Sequence, residues 1–231
     1  MKGIARDDSD VDIIFVASEE EWTRRSAAEE YFFYIGDICD YQGGYVDGKV
    51  VDLQYLLDAA DHGNEPTRFS FVDSLVVCSR IPELDRIIKQ IAVYPESERR
   101  EKIEAFYSQV VVQATFFVPE AERWQNPYLL AQASASLVLF GCRLILAHNR
   151  ILFPSHKWLM AAAESAPDKP AGFLELAQQV LSRPGREAGD AFHRSIEDAQ
   201  DWGLTHQQVV SRYIRDAEWH WRSGKPPLQD C

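Results

Sequence analysis

Every strand-like segment of this chain lies before residue 80, and from Pro82 onward the apolar residues recur with helical spacing. A sequence ordered in this way cannot interleave strands and helices as a repeated βαβ fold does. It specifies an α+β protein, with a small mixed β-sheet domain followed by an α-helical bundle domain. The expected division is 1–80 for the sheet-bearing domain and 81–225 for the helical one, with a loose tail beyond.

The local signals fill in this outline. Ile13-Ile14-Phe15-Val16 reads as a short buried strand. Ser18 with Glu21 three residues on is a capping-box pattern, which predicts a helix from Glu19 toward Tyr34, with the aromatic run Tyr31-Phe32-Phe33-Tyr34 in the core. Asp47-Gly48 between two apolar runs predicts a type I′ hairpin turn. The arm after it alternates, with Val51, Leu53 and Tyr55 on one face and Asp52 and Gln54 on the other. Leu75–Cys78 has the composition of an edge strand. In the second half, Leu84, Ile87, Ile88 and Ile91 mark one helix, and Pro95 and Pro119 bracket another. A long helix is expected from near Pro127 to near Asn149, with shorter ones over Ser155–Ser165, Pro170–Leu181, Glu187–Asp201 and His206–Arg222.

Charge narrows the function. The formal net charge is -12, which argues against a protein that grips a nucleic-acid backbone and favours a cationic small molecule as partner. Cys39, Cys78, Cys142 and Cys231 form no CxxC pair, so no zinc site is expected, and scattered thiols suit a cytoplasmic protein. The longest apolar stretch, Leu137–Ala147, is broken by Arg143 and is too short to span a bilayer, so no membrane partner is expected.

The candidate chemistry is in carboxylates. Asp10 and Asp12 are two apart at the start of the first strand, so they share a face. Adjacent like charges raise each other's pKa, and a hard divalent cation such as Mg2+ relieves them. Asp52, on the second arm of the expected hairpin, can join them as a third ligand or as general base. Three acids from neighbouring strands suit in-line attack on a nucleotide phosphate.

Lys2-Gly3-Ile4-Ala5-Arg6-Asp7-Asp8-Ser9-Asp10-Val11-Asp12 resembles the later part of the nucleotidyltransferase signature, polymerase-beta-like in its catalytic core and shared by aminoglycoside and lincosamide adenylyltransferases. The resemblance implies Asp10 and Asp12 as metal ligands, Asp52 in Val-Val-Asp-Leu-Gln-Tyr as the third carboxylate, and Gly3 and Ser9 on the nucleotide side. Phe153-Pro154-Ser155-His156-Lys157-Trp158 is similar to a Pro-x-x-Lys-Trp motif of the family's helical half, which implies Lys157 as a triphosphate contact. The implied reaction moves a nucleoside monophosphate from an NTP, ATP first, to a hydroxyl of a small molecule. The family's Gly-Ser element would precede Gly3, where this sequence has only Met1 and Lys2, so a longer reading frame or a shortened descendant is expected. A relative that binds nucleotide or a partner without catalysis is the alternative. Arg143 and His148 are similar in spacing to an Arg-x4-His pair of small helical ribonucleases, but apolar neighbours favour a buried structural arginine there, paired to an acid.

Overall fold

The computed structural model describes residues 9–36, 38–41, 43–222 and 228–230, in two compact units that divide between Val93 and Tyr94. The strands found among the described residues lie in the first unit and the second is helical, so the protein is α+β. The change of pattern at Pro82 falls inside the first unit, where α4 (Leu84–Ile91) packs on α2 (Leu53–His62).

Strands β1 (Val11–Val16), β2 (Phe32–Ile35) and β3 (Val46–Val51) form a sheet of order β1-β3-β2. β1 runs parallel to β3, and β2 antiparallel to it. A parallel pair needs a long connection, and α1 (Glu19–Ala27) and β2 lie in it. Ser18 Oγ accepts from the Glu21 N–H at 3.3 Å, so α1 starts where expected. It stops at Ala27 rather than near Tyr34. Glu29, in the left-handed region at φ 56°, turns the chain there, and the bulky run Phe32–Ile35 takes strand conformation. Phe32 and Tyr34 are exposed on that edge strand and are not core residues.

Asp47-Gly48 is not a hairpin turn. Both residues lie inside β3. The glycine is required by close approach: a Cβ there would collide with the Ile13 carbonyl oxygen across the ladder and stand 2.5 Å from the Phe33 ring. The strand ends at Val51, so Leu53 and Tyr55 belong to α2 rather than to an alternating arm. Leu75–Cys78 is irregular rather than an edge strand; Val76 packs against the core and Val77 points to solvent.

One face of β1 and β3, carrying Ile14, Val16 and Val51, packs with Leu56, Ala59, Ile87 and Ile91 from α2 and α4. The opposite side of β1 exposes Val11, Ile13 and Phe15, so only alternate residues of that strand are covered. α3 (Glu65–Ser70) carries the buried Arg68. Its guanidinium donates to the carbonyls of Ala60, Asp61, Gly63 and Ile91, joining the ends of α2 and α4.

In the second unit α5 (Arg99–Val112) continues through a π turn, Gln113–Phe117, into α6 (Val118–Arg123). Pro119 has no N–H to offer the Thr115 carbonyl, and the helix widens there. α7 (Pro127–His148), capped by Asn126, is the central helix. It packs with α5, α8 (Leu159–Ser165), α9 (Phe173–Ser182) and α10 (Arg186–Glu197). By length and composition α7 is the one described helix that could cross a membrane, but 67% of its apolar window is buried inside the fold. α11 (His206–Tyr213), with a reciprocal Thr205–Gln208 cap, passes into a second π turn, Ile214–Glu218. The expected helical spans are recovered with ends shifted by a few residues, with two exceptions: the helix expected to stop at Pro119 runs through it to Arg123, and the last breaks at Tyr213.

Candidate metal centre

Strand alternation places Asp10 and Asp12 on one face at the start of β1. The parallel register sets Asp12 directly opposite Asp47 on β3. Asp10, Asp12 and Asp47 each bring a carboxylate oxygen within 4.8 Å of the others. The same face carries Ile14, Val16 and Val51 further along, so the acids occupy the strand starts and the packed apolar layer the strand ends.

Tyrosines frame the cluster. Tyr45, one residue before β3, donates its hydroxyl to Asp10 Oδ2 at 2.8 Å. Tyr34, opposite Asp47 on β2, packs its ring 5.2 Å from that of Tyr45. Tyr41 donates to the Ser9 carbonyl at 2.7 Å and so ties down the entry to β1. The Asp10 carboxylate raises the Tyr45 phenol above its ordinary value, because the hydrogen bond needs the proton. The Asp47 carboxyl is also pushed up, first by its partial burial and then by the charges of Asp12 and Asp10, while Lys49 pulls it back.

These donors fit a hard divalent cation. Ligands on opposite sides of Mg2+, each ~2.1 Å from it, stand about 4.2 Å apart. Ligands in adjacent positions stand about 3.0 Å apart, so the three oxygens, within 4.8 Å of one another, draw in around one ion by side-chain rotation, and a cation there offsets the repulsion that the three acids otherwise carry.

Asp10 and Asp12 are therefore brought together, but Asp52 is not their partner. Its carboxylate caps α2, accepting from the Tyr55 N–H at 2.8 Å. It follows Asp47 by five residues (52 − 47), roughly 16 Å along an extended chain, at the other end of β3. Asp47 takes the place expected for Asp52. Its signal in the sequence is its position on an apolar strand, which the turn reading of Asp-Gly concealed. Gly3 lies outside the described residues. Ser9 is placed beside the pair, with its carbonyl on Tyr41. Lys157 belongs to the second unit, exposed in the 3-10 turn His156–Trp158, with its ammonium 5.2 Å from the Trp158 ring.

Arg143 and His148 are structural. Arg143 is buried between the Phe106 and Phe153 rings, 4.5 and 4.4 Å from their centroids, and donates to the carbonyls of Leu228 and Gln229. His148 Nε2 stands 2.7 Å from the Asp168 carboxylate. A guanidinium enclosed in this way is not presented to a phosphate in solvent.

No protein-family model matches this sequence, and no curated protein matches it. The centre rests on its own geometry.

Proposed function

We propose that the first unit is a nucleotidyltransferase-like domain that moves a nucleoside monophosphate from an NTP, ATP first, to a hydroxyl of a small cationic molecule. Asp10, Asp12 and Asp47 would hold Mg2+. The observation that carries this reading is the register: an Asp-x-Asp pair on β1 with a third carboxylate directly across the parallel ladder. That is the arrangement the sequence resemblance implies, built with Asp47 instead of Asp52. When bound, Mg2+ orients the phosphates and neutralises charge that develops on them. The chain's own part is positional. Asp10 and Asp12 project together from a strand anchored at its far end by the apolar layer. Tyr45 holds one oxygen of Asp10 in a fixed direction. Asp52, committed to the helix cap, has no role in the reaction. The acids with Tyr34 and Tyr45 beside them favour a cationic acceptor, by charge and by cation–π contact. An aminoglycoside-like molecule meets that description.

The test incubates the protein with α-labelled ATP, Mg2+ and a panel of aminoglycosides, alongside the double variant Asp10→Asn/Asp12→Asn. Labelled acceptor should form with the unaltered protein and not with the variant. If no acceptor is labelled and ATP shows no Mg2+-dependent binding, the proposal fails.

A further inference from the structure

The second unit carries a half-open cavity of about 290 Å³ that the proposed reaction does not use. Gln109 of α5, Gln113 at the start of the first π turn, Gln132, Ser136 and Phe140 of α7, and Tyr213 at the end of α11 line it. Four glutamine amides on one small cavity, with Gln229 as the fourth, are unusual for a helical core. Gln109 and Gln113 are buried, at 4% and 5% exposure. Gln113 Nε2 donates to Gln109 Oε1 at 3.4 Å, and Gln113 Oε1 is buried with no hydrogen-bond partner among the described residues. A leucine would fill that position without leaving an acceptor unmet, so folding alone does not account for the amide. The last torsion of a glutamine is soft, and the amide can turn its oxygen toward a donor in the cavity it lines.

The backbone around the cavity is irregular on two sides. Gln113 opens one π turn, and Asp216, also on the wall, sits in the other. Such turns recur at functional sites. The first has its own cause in Pro119; the second contains no proline.

The chemistry of the wall selects the ligand. Asp216 is the one carboxylate on the described wall, and both Arg212 and Arg215 donate to it, so it asks for no cation. No lysine or arginine lines the described wall, and the His220 imidazole is turned through Nδ1 to the Ala217 carbonyl at 3.1 Å, so the wall offers a phosphate no fixed positive charge. What remains is amides, the hydroxyls of Ser136 and Tyr213, the His220 imidazole and the rings of Phe140 and Tyr213, beside the apolar Ala217 and Leu228, a wall suited to a neutral ring that carries a donor and an acceptor side by side. A glutamine amide pairs with such an edge through two hydrogen bonds, and aromatic faces take the ring. The volume is near the lower end for ligand pockets, which fits a base without its sugar.

We propose that this cavity binds a free, neutral nucleobase through the amides of Gln113 and Gln132. The test is saturation-transfer NMR and calorimetry on the full chain, without Mg2+, using adenine, hypoxanthine, cytosine and uracil. At least one base should bind with Kd below about 1 mM. Gln113→Leu should weaken it at least about tenfold. Gln132→Leu, at an exposed position where folding is not at stake, should weaken it in the same direction, with unchanged circular dichroism. Asp10→Asn/Asp12→Asn should bind the base as the unaltered protein does, which separates this site from the transfer reaction. If none of the four bases binds, or if both glutamine variants bind as the unaltered protein does, the cavity holds only solvent and the proposal is overturned.

Discussion

Replacing Asp47 by Asn removes one charge and little else, and it addresses the centre of the proposed site. Three carboxylates within 4.8 Å repel in three pairs, two of which include Asp47. Two unit charges at that distance cost about 0.9 kcal/mol in water, and the cluster is open enough to solvent for that high-dielectric value to apply. Salt reduces it further, so the substitution relieves roughly 1 kcal/mol in the metal-free protein. In a unit of under 100 residues this is a rise in Tm of roughly 4–8 °C. The effect has a pH signature. The folded state holds the Asp47 proton above the ordinary value of 3.8, so the contribution of this group to stability falls as pH rises through that range, and the variant lacks the fall. Mg2+ reverses the order. A cation that binds only the folded state at a hundred times its Kd adds about 2.7 kcal/mol, and a site stripped of one carboxylate keeps only part of it. Scanning fluorimetry at low salt, in EDTA and then in Mg2+, reads both arms. The variant should melt higher in EDTA and respond less to Mg2+. A lower Tm in EDTA, or a Mg2+ response equal to that of the unaltered protein, would refute the reasoning.

Three further substitutions probe the surrounding structure. Asp52→Asn should keep both the helix cap and any transfer activity, because Asn caps as well as Asp, whereas Asp52→Ala should lose about 1 kcal/mol in urea unfolding; a large loss of transfer in the Asn variant would return Asp52 to the metal site. Gly48→Ala should destabilise by roughly 2 kcal/mol or more, since its Cβ meets the Ile13 carbonyl and the Phe33 ring, and an unchanged urea midpoint would count against the strand register. Burial pushes His193 below its ordinary 6.5, so the unfolded chain binds that proton more tightly and stability is lost as pH falls below about 6.5. His193→Leu should flatten that loss between about pH 7.5 and pH 5, and parallel losses in both proteins would exclude His193 as its source.

The two halves of the fold were not equally legible. α7 repeats its apolar pattern over 22 residues, and a signal that long leaves helix as the one consistent reading. The strands have four to six residues, so a single ambiguous pair decides them. Asp47-Gly48 is such a pair. In isolation it is a good turn, and only the Ile13 carbonyl and the Phe33 ring, both distant in sequence, make the glycine a strand residue. Tyr31–Ile35 shows the same limit, because a helix continuing from α1 is locally consistent until Glu29 turns the chain.

The site divides along the same line. Asp10 and Asp12 were readable because their relation is local: two residues apart on a strand means one face, whatever the strand pairs with. The third acid depends on which strand lies beside β1 and in what register, and register is set by packing. With β3 in place, Ile14, Val16 and Val51 must all face the layer of α2 and α4, and a slip of one residue would turn Val51 away from it. The register that buries those side chains is the one that puts Asp47 opposite Asp12. The apolar ends of the strands thus position the acidic ends, and a substitution that loosens Val51 or Ile14 should weaken metal binding without touching a ligand. Val51→Ala in the Mg2+ titration measures this: lower Mg2+ affinity in a protein that still folds is expected, and an unaltered affinity would separate the register from the site.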